Sequence, residues 1–235
     1  MKNINFHVIV GEFKKAILGA VAASLIVAFL ISAIEPAISF AATTAQSQFT
    51  ISQLVSGEVA FLTPASNVVL SPTLGGLTGG TSGGETQVIV ATNNSTGYTM
   101  TLAASSSAGM TGTSTGQTIP AYISSVAGVP DYNFTVPANK AYFGYTVSAS
   151  TTSDLNISFR DNASACGIGA LDTVAGGDHC WLAATTSSKT IVSTGTYSTG
   201  STSTLKFRVQ IQANPVPMIP SDNYIATTTL TVTAN

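Results

Sequence analysis

The chain has 235 residues, is 44% hydrophobic yet only 8% charged, and carries a formal net charge of −2 at neutral pH. Beyond residue 41 the basic residues are Lys140, Arg160, Lys189, Lys206 and Arg208, against eight acidic ones. No basic patch is available to hold a phosphate backbone, which excludes nucleic acid as a partner.

The first element is an export segment. Lys2, Lys14 and Lys15 precede an apolar run at 16–34, and Glu35-Pro36 ends it, since proline breaks a helix. Ser39-Phe40-Ala41 places small residues where a signal peptidase cuts. The run is also close to the roughly 20 residues that cross a bilayer. Two readings therefore stay open. Either a signal peptide is cleaved between Ala41 and Ala42, or residues 16–34 remain as a membrane anchor with a cytoplasmic N-terminus. Both put the remainder outside, secreted or at the cell surface. Residues 42–48 have linker composition, and 49–235 are expected to form one domain.

In that domain the recurring pattern is period two, the signature of half-buried strands. In Leu205–Gln212 the apolar residues Leu205, Phe207, Val209 and Ile211 alternate with Lys206, Arg208, Gln210 and Gln212. Further strands are expected at 49–52, 87–92, 98–102, 142–149, 155–159 and 224–232. The 93–97 stretch between two of them predicts a hairpin. Glycine pairs at 75–76, 79–80 and 83–84 predict turns. The Ser/Thr/Gly tract 105–117 has little to bury and predicts a long, mobile loop. Seven to ten strands (roughly) with regular turns predict an all-β fold, an immunoglobulin-like antiparallel β-sandwich following the N-terminal signal or transmembrane helix.

An opening strand up to Phe61, then Gly97-Tyr98-Thr99-Met100-Thr101-Leu102, and a closing run from Ile219 to Thr233 give an order of features. It resembles the WxL-type bacterial surface domains and, more loosely, fimbrial-type secreted sandwiches. The resemblance implies a β-sandwich, a surface location and a bacterial source. Cell-wall binding in the WxL family is associated with two tryptophans. Here Tyr98-Thr99-Met100 and Leu230-Thr231-Val232 occupy those places, so that activity does not carry over.

Cys166 and Cys180 predict a disulfide, a pairing that outweighs a metal site with His179, which falls short of four ligands. Asp154, Asp161, Asp172 and Asp178, with Asn156 and Asn162, are calcium candidates, although solvated loop carboxylates are the simpler reading. Trp181, Tyr142 and Tyr145, beside Phe143, are a candidate carbohydrate platform, although core packing is the simpler reading. Five Asn-x-Ser/Thr triplets, at Asn93, Asn94, Asn133, Asn156 and Asn162, are what a Ser/Thr-rich chain produces by chance. Beyond His7 the one histidine is His179, and no Gly-x-Ser-x-Gly elbow is present. The expectation is a non-catalytic structural or adhesive cell-surface protein without a cofactor, in contact with the cell envelope or itself. The alternatives are a polymerising pilin-like or surface-layer subunit with 47–54 as donor strand, and a glycan-binding module. Weakly charged edge strands favour self-association.

Overall fold

The alternation around Leu205 extends into a strand of 14 residues, the longest among the described residues. A computed structural model describes residues 46–167 and 178–235; the leader and its cleavage site at Ala41 and Ala42 lie outside them. The strands are β1 (Val59–Thr63), β2 (Gly80–Thr92), β3 (Tyr98–Ala104), β4 (Met110–Gly112), β5 (Thr118–Ile119), β6 (Ala141–Ala149), β7 (Lys189–Ser193), β8 (Ser198–Ile211), β9 (Tyr224–Ile225) and β10 (Thr228–Ala234). They form a four-stranded sheet in the order β1-β2-β8-β6 and three-stranded sheets β10-β3-β7 and β5-β4-β9. Pairing of these strands is antiparallel throughout. The fold is all-β. Among the described residues no helix is long and apolar enough to cross a membrane.

The first two sheets bury side chains in one cluster. Val88 and Val90 of β2, Tyr145 of β6 and Leu205 of β8 join Met100 and Leu102 of β3 and Ile191 of β7. Fully burying one such side chain stabilises by about 1.5–3 kcal/mol. Period two holds well on β3 and β8 but fails on β6, whose residues Ala141 to Val147 are all buried. A second layer covers the outer face of β6, where Tyr122, Phe134, Val136, Tyr142 and Trp181 form their own cluster.

Several expected elements differ. The 93–97 link does not close a hairpin, because β2 pairs with β1 and β8 while β3 pairs with β10 and β7. Crossing between sheets places the two strands on opposite sides of the common cluster, where Val88 and Val90 face Met100 and Leu102. Gly97 makes the crossing tight: its φ is +80, and a Cβ there would stand 2.4 Å from the Thr194 carbonyl oxygen. The glycines at 80, 83 and 84 lie inside β2, not in turns; a Cβ on Gly84 would meet Val68 at 2.6 Å.

Residues 49–52 alternate as a strand does but have no strand assignment, since alternation sets a face and not a partner. Residues 155–159 become short 3-10 turns at Thr152–Asp154 and Ile157–Phe159. There Asn156 Oδ1 accepts from the Ser158 N–H at 3.0 Å, a local bond that competes with a ladder. Leu155 and Phe159 are nonetheless buried. The 105–117 tract holds β4 and a pinned turn in place of a structureless loop.

Candidate functional site

The Cys166–Cys180 disulfide is formed, with Cα atoms 5.7 Å apart. Residues 168–177 inside its loop, including Asp172, lie outside the described residues. After Cys180 the chain runs along β6: Trp181 N–H donates to the Asp131 carbonyl at 2.8 Å and Leu182 N–H to that of Tyr145 at 2.9 Å. Trp181 Nε1 donates to the Asp178 carbonyl at 2.8 Å. Its indole meets the Phe134 ring edge-on at 5.2 Å, and the Arg208 guanidinium carbon sits 4.3 Å from the indole centroid. Gly144 makes this layer possible, because a Cβ there would lie 2.9 Å from both Phe134 Cε2 and Tyr122 Cβ.

The residues of the candidate carbohydrate platform are buried. Trp181 is 1% exposed, Tyr142 8% and Tyr145 0%, so none offers a ring face to a sugar. The Tyr145 hydroxyl is buried with no hydrogen-bond partner among the described residues, and burial pushes its phenol well above the usual range. Tyr145→Phe keeps the ring and its packing on Phe159 while removing the unpaired hydroxyl. Stability is expected to rise by up to about 1 kcal/mol in urea unfolding. A clear loss would show that the hydroxyl has a partner.

Among the described residues the carboxylates near the disulfide do not converge, and no three metal-binding side chains gather. Asp178 pairs with Lys206 at 3.5 Å and Arg208 at 3.6 Å. Asp161 is buried and accepts from the Ala163 N–H at 2.7 Å. Burial raises the pKa of Asp154, against a lowering by the Ser201 hydroxyl and Arg160. His179 stacks on Tyr132 with centroids 4.0 Å apart, and both ring nitrogens lie 3.3 Å from Tyr132 oxygens. Its imidazole is thus engaged at both nitrogens.

Exposed apolar surface is found instead along one extended run and one groove. Phe49, Ile51, Leu54 and Val55 are 80%, 84%, 89% and 76% exposed. Within the unit Leu54–Asn235, a groove of about 980 Å³ opens between Leu70 and Leu74 on one side and Ile219 on the other, over Val209 and Ile211. It adjoins a second hollow of about 650 Å³ that reaches Phe61 and Leu230. Val68, Leu70 and Met110 line both.

Neither a protein-family model nor a curated protein matches the chain. The segments likened to the two Trp-x-Leu motifs are nonetheless neighbours: Val232 pairs with Met100 and Ala234 with Tyr98 across β10 and β3.

Asp222, on the rim of the groove, was not singled out from sequence. Its carboxylate accepts from the Thr115 hydroxyl and N–H, each at 2.7 Å, from Ser114 N–H at 3.0 Å and from Asn223 N–H at 2.7 Å. These bonds, Thr115's hydroxyl first, hold its pKa far below the usual carboxylate range. The available signal was a run of hydroxyl and backbone N–H donors, Thr113 to Gly116, with no carboxylate among them. A depressed folded-state pKa contributes stability above the unfolded value, near 3.9, that is lost as pH falls through the folded one. Asp222→Asn should flatten the acid side of a melting-temperature profile between about pH 5 and 2. An unchanged profile would show that the latch is not coupled to folding.

Proposed function

We propose that this is an exported, non-catalytic cell-envelope protein, an immunoglobulin-like β-sandwich that works through surface contacts, including contacts with its own copies. The observation that carries the reading is the run at 49–55, four large apolar side chains held open to solvent in a chain with little charge. Isolated exposed apolar residues are ordinary, whereas a contiguous set marks an interaction site. The shared core of two antiparallel sheets supports the sandwich. The disulfide supports an oxidising compartment, in agreement with the basic residues and apolar run at the N-terminus. The stacked, doubly engaged ring of His179 supports a role other than general base.

Protease shaving of intact source cells, followed by N-terminal sequencing of the recovered protein, tests the location. The protein should be cleaved from outside, and the intact protein extracted from untreated cells should begin at Ala42 if processed or at Met1 if anchored. Protection inside intact cells would overturn export. Turnover of a polysaccharide or peptide by the purified protein, abolished in His179→Ala, would overturn the non-catalytic reading.

A further inference from the structure

We infer that the loop between β5 and β6 carries an apolar tip that inserts into the acyl region of an anionic lipid bilayer. The tip is 123–129, within the unit Leu54–Asn235 and separate from both the run at 49–55 and the groove. Ile123, Val126 and Val129 are 65%, 59% and 41% exposed, and Ala127 and Gly128 are open to solvent between them. From Thr86 to Pro130 the sequence has no charged residue. The loop is held, not slack. At its base the Asp131 carboxylate accepts from the Ser125 N–H at 2.9 Å, from the Ser125 hydroxyl and from the Tyr122 hydroxyl at 2.8 Å. Tyr122 is itself buried and stacks on Phe134 at 4.6 Å, so that carboxylate ties the loop to the covered face of β6. Further out, the Val126 carbonyl accepts from the Val129 N–H at 3.0 Å and from the Ser124 hydroxyl at 2.9 Å. Gly128, with a φ of +75, lets the turn close. The backbone is thus fixed while three aliphatic side chains stand uncovered, an anchor with little ordering entropy left to lose on binding.

Two observations select lipid over a protein partner. The first is area. Three side chains present no more than a few hundred Å², well short of the roughly 800 Å² that each partner commits to a stable protein interface. Binding at a bilayer surface asks less: apolar area to bury, and attraction to anionic headgroups. The second is charge. Lys189, at the start of β7, reaches the tip and donates from Nζ to the Gly128 carbonyl at 3.3 Å. An ammonium in that place meets the phosphates of anionic headgroups while the aliphatic side chains pass beneath them. The Asp131 carboxylate at the base is already occupied by its Ser125 and Tyr122 donors, which shields the headgroups from its charge.

The test uses full-length Val126→Trp with vesicles of phosphatidylcholine and phosphatidylglycerol whose acyl chains are brominated, bromine being a contact quencher of indole. The native chain, whose one indole is buried at Trp181, sets the background. Emission from the introduced indole is expected to fall about two-fold or more against unbrominated vesicles, as for a side chain at the acyl boundary. Adding Ile123→Asp and Val129→Asp should abolish the fall. Tyr197→Trp, exposed beyond the far end of β7, should show none, which separates insertion from simple tethering through residues 16–34. Phosphatidylcholine alone should give a smaller fall, and Lys189→Gln should shrink it likewise in the anionic vesicles. All four substituted loop and control positions are exposed, so folding is not at stake. Equal quenching at 126 and 197, or quenching that survives both aspartates, would overturn insertion. A fall indifferent to phosphatidylglycerol would overturn the anionic preference. Absent quenching would overturn the lipid contact altogether, and chemically crosslinked oligomers lost in Ile123→Asp/Val129→Asp would then give the tip to a second copy. None of these results touches the export reading, which protease shaving judges by itself.

Discussion

Replacing Trp181 with alanine is expected to cost about 3–5 kcal/mol, the range for deleting a fully buried aromatic. That is a large share of the roughly 5–15 kcal/mol that holds a domain together. The indole is 1% exposed and packs on Phe134, with the Arg208 guanidinium over it. Its loss leaves a void on the outer face of β6 and takes away the ring on which the guanidinium rests. Trp181→Phe should recover most of the stability, because an aromatic ring still fills the site. Urea unfolding followed by far-ultraviolet circular dichroism suits both variants, since Trp181 is the only tryptophan. A loss below about 1 kcal/mol for the alanine variant would mean that the layer is not a packed core.

Removing the disulfide is expected to cost about 3 kcal/mol, the chain-entropy value for a loop of about 15 residues. The cysteines are 14 positions apart. Cys166→Ala with Cys180→Ala, and the native protein in reductant, should lose the same amount, because both release the same constraint on the unfolded chain. Agreement between them separates loop closure from side-chain packing. If the alanine variant falls much further than the reduced protein, packing of the buried Cys180 is the larger contribution. Because Cys180 has a φ of +63, alanine inherits the same backbone strain and the comparison stays fair.

The all-β class was legible because β3 and β8 each bury one face, and alternation reports one-sided burial directly. The disulfide was legible because two cysteines permit one pairing. Sheet membership was not. Which strand lies beside β2 depends on residues more than a hundred positions away, as in the pairing of Gly80 with Ile211, and local pattern carries no such information. The segment 49–52 reads as a strand for the same reason: its sequence shows a face while its partner is decided elsewhere. The place of Trp181 was also hidden, because a covered outer face on β6 requires Gly144 in the strand beneath, and a glycine there reads as a weak strand position. At the groove, the apolar lining comes from β2's approach, β8 and the 218–226 stretch, which only the fold brings together.

The pairing of β2 with β8 has a consequence for how the protein comes into being. Its central ladder joins Gly80 to Ile211, and β10 closes the second sheet against β3. Few of these contacts are local, and chains of high contact order fold slowly because distant segments must meet before any contact forms. A chain emerging from its N-terminus has only the short β1 to hold β2 until β8 has arrived. The four-stranded sheet therefore forms late, and the second sheet waits for β10.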